Sequence, residues 1–208
     1  MTERQATPPQ QTAPGKRAAQ GRATRGQLIE VATGLFAEHG YEGTSIEAVL
    51  TAAGVSRGAL YHHFAGKEAL FTAVLEALSE RVTAQVTEVI SGCTDPVDAV
   101  RTGALAWIDL AGDPVIQQIM LVDAPSVLGW EQWRAMDEGR TLGATRAMLQ
   151  AVSDTGRLPQ ELVDPFAPMI LAALDEAAMV IARASDSRIA VAEWRQAVED
   201  FLDRLLRP

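Results

Sequence analysis

The sequence predicts an all-α chain, with a small N-terminal helical unit followed by a larger helical domain. Three observations predict it. Apolar residues recur at the spacing of one helix face along most of the 208 residues. Capping residues (Thr, Ser, or Asp followed by Pro) stand ahead of the apolar stripes. No stretch alternates apolar and polar residues with β-branched enrichment, so no sheet is expected.

Residues 1–23 are rich in Pro, Gln, Ala and Thr and lack large apolar side chains after Met1. They bury too little surface to offset ordering entropy, so a disordered arm is expected. Arg4, Lys16, Arg17 and Arg22 make it basic, a solvated tail or a segment touching DNA. Order is expected from Thr24, where Thr followed three residues later by Gln27 forms a capping box. Leu28, Val31, Ala32, Leu35 and Phe36 then form one stripe, and Gly40 ends the helix. Thr44, Ser45 and Glu47 open a short helix with Ile46, Val49 and Leu50 inward, stopping at Gly54. Ser56 caps a third helix that turns Leu60 and Phe64 inward. A long helix follows from Lys67, with Leu70, Phe71, Val74, Leu75, Leu78 and Val82 on its apolar side.

Beyond it, Asp95-Pro96, Asp113-Pro114 and Asp164-Pro165 repeat one device. Asp caps, and Pro takes the first helical position, where its missing N–H costs nothing. Helices are expected over roughly 96–111, 114–122, 129–154, 165–185 and 189–206. The domains are thus the arm (1–23), a helical unit over 24–68 containing the motif 45–64, and a helical domain over 69–208.

Charge separates the same parts. Residues 1–67 hold seven basic and five acidic residues, whereas residues 68–208 hold eleven basic and 22 acidic. All three histidines, His39, His62 and His63, lie in the first part. Only that part suits a polyanion. The lone Cys93 cannot form an internal disulfide and fits a reducing cytoplasm. No secretory leader and no apolar run of the roughly 20 residues of a membrane span are read from the chain.

Two short helices joined by a glycine-containing turn have the layout of a helix-turn-helix, whose second helix enters the DNA major groove. With Leu60 and Phe64 inward, Arg57, Gly58, Ala59, Tyr61, His62 and His63 cover the outer faces. Arg57 can donate bidentately to guanine or to phosphate. Gly58 and Ala59 let the backbone approach, and Tyr61, His62 and His63 are donors of medium reach for phosphate oxygens. Ser45 and Ser56 stand at the helix starts, and N–H groups near Thr44 and Lys67 are anion sites. Tyr61 could instead be a core residue. A metal site is not expected, because adjacent helical side chains such as His62 and His63 diverge by about 100°. No cofactor motif and no nucleophile–base spacing are present, so an enzyme is not expected.

The segment TRGQLIEVATGLFAEHGYEGTSIEAVLTAAGVSRGALYHHFAGKEALF, residues 24–71, closely resembles the N-terminal domain of the tetracycline-repressor (TetR) family. The resemblance implies a homodimer that reads a partly palindromic operator in double-stranded DNA. It also implies a C-terminal domain that dimerises and usually binds a small effector. By position, Thr44 looks like the family's phosphate-contacting cap. Arg57, Gly58 and Ala59 look like its base-reading segment, and Tyr61, His63 and Lys67 like its backbone contacts. A repressor released by a small apolar or amphipathic molecule is the expected function; a regulator of the same fold without an effector is the alternative.

For the effector, Trp107, Met120, Trp130, Trp133, Met136, Met148, Phe166 and Met169 are candidate walls, each able to serve equally as core. Asp109, Asp123, Asp175 and Glu176 lie near apolar faces, and one that lined a cavity would favour a cationic ligand. For the dimer, the last two helices offer Ala173, Ala177, Trp194, Val198, Phe201 and Leu205 as an isologous surface.

Overall fold

The computed structural model describes residues 14–206, which are helical and contain no strand. In chain order the helices are α1 (Pro14–Gly43), α2 (Ile46–Ala53), α3 (Arg57–His63), α4 (Lys67–Ile90), α5 (Pro96–Leu110) and α6 (Pro114–Ile116). A π-helical segment, Gln117–Asp123, runs into α7 (Ala124–Leu128). Then come α8 (Trp130–Asp154), α9 (Val163–Arg183) and α10 (Ser187–Leu206).

The first helix begins earlier than expected. Residues 1–13 lie outside the described residues, but 14–23 are already helical. Ala18, Ala19, Gln20, Arg17 and Arg22 there are good helix formers, and they carry the helix through Gly21. Thr24 is therefore no cap: its hydroxyl donates to the Gln20 carbonyl at 3.0 Å, inside the helix. Gly40, at φ 70° and ψ 172°, breaks the helix where a side chain would be strained.

Leu28, Ala32 and Phe36 of α1 bury against Val49 of α2 and Leu60 of α3. Phe36, Tyr41 and Phe71 then join α1 to α4, with ring centroids 5.1 to 5.9 Å apart. In the larger domain α8 packs on α9, α4 on α5, and α5 and α9 on α10. The π-helical segment is wedged between α1 and α9.

Two of the three Asp-Pro starts cap as expected. Asp95 accepts from the N–H groups of Val97 and Asp98, and Asp113 from those of Val115 and Ile116. Asp164 does not. A short 3₁₀ turn leads the chain into α9 two residues earlier, so Asp164 lies in its first turn and faces Arg146 at 3.2 Å. Asp186, which the sequence reading missed, caps α10 through the N–H groups of Arg188 and Ile189.

Contrary to the sequence reading, residues Gln160–Arg183 are long and apolar enough to match a membrane span by composition. Here they pack against other helices and bury Ile170, Leu174, Ala178 and Ile181 in the core.

Candidate nucleic-acid interface and ligand cavity

The helix-turn-helix is set by caps at each joint. Ser45 accepts from the Ala48 N–H and starts α2. Gly54, left-handed at φ 64°, closes α2 and reverses the chain. Ser56 accepts from the Ala59 N–H at 3.2 Å and starts α3. With Leu60 and Phe64 buried, α3 leaves Ser56, Arg57, Gly58, Tyr61 and His62 exposed, with Ala59 and His63 half-buried. Tyr61 is 46% exposed, which removes the core reading of this residue. A Cβ at Gly58 would meet nothing nearer than the Ser56 hydroxyl at 4.0 Å. No packing among the described residues requires that glycine, although helical glycine costs about 1 kcal/mol.

Two expected contacts are placed differently. Thr44 is 1% exposed, and its hydroxyl faces the carbonyls of Leu35 and Gly40 at 3.1 and 2.9 Å. The Thr44 hydroxyl shares its single proton between those two carbonyls beside the kink at Gly40. The exposed hydroxyl at this joint belongs to Ser45. Lys67 also points inward. Its ammonium donates to the carbonyls of Tyr41 (2.7 Å) and Thr44 (3.0 Å) and lies 4.1 Å from the centroid of the Tyr41 ring. Burial, followed by the charges of Glu68 and Glu42, raises the Tyr41 phenol above its ordinary value.

Three further residues were missed. Glu47 forms an ion pair with Arg57, tying α2 to α3. Its own backbone N–H, then the Arg57 guanidinium, hold the Glu47 carboxyl below the ordinary value. Gln27 donates to the Ala53 carbonyl at 2.9 Å, and the Arg25 guanidinium lies 5.3 Å from the Phe64 centroid. The early part of α1 thus runs beside α3, with Gly21 against His63. No sequence period announces these contacts, since each is made by a polar side chain reaching across to a separate helix or its end.

In the larger domain α4, α5, α8 and α9 line a partly open cavity of about 170 Å³, reached by Met120 of the π-helical segment. Trp107, Met120 and Met148 line it as expected. Trp130, Trp133, Met136, Phe166 and Met169 do not. The buried Trp133 indole donates to the Met120 carbonyl at 3.1 Å, and Trp130 lies half-exposed beside it. Met136 and Phe166 pack against the core, and Met169 is 60% exposed. Space opens where side chains are small, at Gly103, Ala104 and Ala144, rather than where they are large. Of the four candidate acids, Asp175 lines the cavity and is 8% exposed. Asp109 instead pairs with Arg195, Glu176 is exposed, and Asp123 accepts from the Tyr41 N–H at 2.7 Å.

On the last two helices Met169, Ala173 and Phe201 stand exposed, and Trp194 and Leu205 half-buried. Ala177 and Val198 are 0% and 5% exposed within the chain itself, so they belong to its own core and not to a surface.

Comparison with known proteins places both parts of the chain in one family. Residues 28–74 match the family model for bacterial regulatory proteins of the tetR family, and residues 97–205 that for a tetracyclin repressor-like C-terminal domain. The HTH-type transcriptional repressor KstR2 of Mycobacterium tuberculosis is 31% identical over 84 residues, 40% of this chain and 42% of that one. The HTH-type transcriptional repressor AcnR of Corynebacterium glutamicum is 44% identical over 68 residues, 33% of this chain and 34% of that one. The chain therefore spans well under half the length of these curated relatives. A TetR-family transcriptional regulator from Pectobacterium atrosepticum superposes with a TM-score of 0.81 at 29% identity, covering 90% of this chain and 96% of its own. The fatty acid degradation regulator FadR from Bacillus halodurans shares the fold, with a TM-score of 0.70 at 20% identity over 93% of this chain and 96% of its own.

Proposed function

The chain belongs to the tetR family of bacterial regulatory proteins, and on that premise we propose that it is a dimeric, cytoplasmic repressor that leaves a palindromic operator when a small molecule fills its cavity. The observation that carries the DNA half is the outer face of α3. Arg57, Gly58, Tyr61 and His62 are exposed together on a helix that is otherwise locked into the core. The contacts are Ser45, Ser56, Arg57, Gly58, Ala59, Tyr61, His62 and His63. Arg57 and the small residues beside it meet base edges, while the caps, Tyr61 and the histidines meet phosphate. Lys67 acts from behind, by holding the carbonyls of Tyr41 and Thr44 at the entry to α2.

Dimerisation rests on the stripe formed by Met169, Ala173, Trp194, Phe201 and Leu205, which a second copy would cover. Such a dimer sets two α3 helices one DNA turn apart, about 34–36 Å.

Release rests on the path from cavity to kink. Met120 touches the cavity from the same π-helical segment that ends at Asp123, and Asp123 holds the Tyr41 N–H. Tyr41 and Thr44 are in turn the anchors of Lys67. A ligand that moves Met120 shifts the segment, and with it the entry to α2. π-Helical turns carry an extra residue per turn and absorb such shifts in register. The ligand then favours a conformer in which the two α3 helices no longer match the half-sites.

Selection of bound fragments from a genomic DNA pool tests the reading, with Arg57→Ala as control. A palindrome recovered by the unaltered protein and lost in the variant is the expected result. No enriched sequence would count against it.

A further inference from the structure

The reading of the cavity as a ligand site leaves the chemistry of the ligand open, and the wall narrows it. We propose that the ligand is an uncharged, mainly hydrocarbon molecule of about one ring. The inference rests on that reading of the cavity. The inner wall is apolar: Val100, Gly103 and Ala104 of α5 and Ile170, Leu171 and Leu174 of α9 line it and are buried. Trp107 adds an aromatic surface, and the flexible thioethers of Met120 and Met148 adapt to the outline of a guest.

The buried polar side chains of the wall are already engaged. They are Thr145 and Asp175. The Thr145 hydroxyl donates to the Thr141 carbonyl at 3.0 Å, which uses its one proton. Asp175 interacts within the chain, so a cationic guest would have to compete with that interaction. The other polar members, Ser79, Thr83, Thr87, Arg140 and Thr141, stand at half-buried or exposed positions. The hydroxyls of Thr83 and Thr87 donate to the carbonyls of Ser79 and Thr83, at 2.9 and 2.7 Å. Exposed Thr83, Thr87, Arg140 and Ala144 mark the mouth, between α4 and α8.

A charge taken into such a space loses its hydration, and only a close partner offsets the loss. Arg140 is a poor partner for an anion, because an ion pair at an exposed site is screened and contributes little. A hydrocarbon gives up no hydrogen bonds on entry and gains from the burial of its surface. Head groups of either sign are therefore penalised, and an uncharged body is not.

Size sets the bulk of the guest. The cavity measures about 170 Å³. An apolar protein cavity of about 150 Å³ accepts benzene. The guest is thus one ring with a short arm, or a chain of comparable bulk.

The test is a matched panel: ethylbenzene, phenethyl alcohol, phenethylamine and phenylacetate. Binding to the full chain is read by calorimetry, and release of operator DNA in parallel by fluorescence anisotropy. The two uncharged members are expected to bind about tenfold or more tighter than the two charged ones. Ala104→Leu, which fills the space from α5, should abolish that binding. If Ala104→Leu fails to fold, Ala144→Leu, at an exposed position of α8, should weaken it. Equal binding of all four, a tighter amine, or binding unchanged in the filled variant overturns the assignment. So does a tighter phenylacetate, and its loss in Arg140→Ala would trace the preference to the mouth. Uncharged guests that bind without loss of DNA leave the ligand class standing and remove the reading of ligand-driven release. Release by the amine or the carboxylate alone does the reverse. No binding of any of the four removes both.

Discussion

The Tyr41 N–H donates to the Asp123 carboxylate at 2.7 Å, so the kink of α1 is pinned to the end of the π-helical segment although the two residues are 82 positions apart. Gly40, just before Tyr41, lies against the same carboxylate and against the Gln118 amide. The bond ties the helix-turn-helix to the segment that reaches the cavity.

Removing it should separate the two. Asp123→Ala leaves the Tyr41 N–H without its partner and should lower stability by about 1.5–3 kcal/mol, the range for a hydrogen bond to a charged group. Operator affinity should then change little on adding a cavity ligand. Urea unfolding and DNA titrations with and without ligand check both parts. A full ligand response in the variant would exclude this route.

Gly40→Ala should act at the same joint by strain. Gly40 sits at φ 70° and ψ 172°, and an added Cβ would lie 3.2 Å from the Gln118 amide nitrogen. A backbone of this kind is almost confined to glycine and costs other residues about 1–3 kcal/mol. Thermal melting of the variant reads the loss.

Lys67→Met should lower the melting temperature and weaken operator and non-operator DNA alike. The substitution keeps the stem but strips the two carbonyls of their donor and the Tyr41 ring of its cation. Arg57→Ala should instead weaken operator binding by roughly 1–3 kcal/mol and spare stability. An unchanged melting temperature in Lys67→Met would contradict the inward role of that ammonium.

Glu47→Gln removes the negative charge that pairs with Arg57. Binding to random duplex should rise severalfold at low salt, since one more cation then faces phosphate and one anion is gone. Anisotropy with operator and random duplexes shows whether discrimination narrows, as expected.

Acid should weaken the start of α5. A hydrogen bond from Arg157, with smaller help from the N–H groups of Asp98 and Val97, holds the Asp95 carboxyl below the ordinary aspartate value. A lowered folded value means that the contribution is complete above the unfolded value and is lost as pH falls through the folded one. Asp95→Asn keeps the cap and loses the titration. The gap in stability between the unaltered protein and the variant should therefore shrink below about pH 4, as followed by urea unfolding.

The helices were legible because their signals are local. Apolar spacing placed Leu28, Phe36, Leu60 and Phe71 inward, and Asp95 and Asp113 cap where an Asp-Pro pair suggests. The exposed face of α3 followed once Leu60 and Phe64 were assigned to the core. What failed depends on contacts between distant segments. Thr44 reads as a cap from its neighbours, yet its hydroxyl is shared between two carbonyls beside the kink at Gly40. Asp164 was displaced by a 3₁₀ turn that no periodicity marks. Large side chains were a poor guide to the cavity: Trp133 and Phe166 fill space, whereas Gly103, Ala104 and Ala144 leave it.

Those small residues also shape how the protein can diverge. Each added methyl at Ala104 or Ala144 would trim the cavity without touching α3, Asp123 or Tyr41. On the proposed reading, the ligand preference would then change in single-carbon steps while the outer face of α3 stays as it is. An unfilled apolar space also forgoes contacts that a closed core would make. On the proposed reading, a chain that no longer answered to a small molecule would be free to close that space.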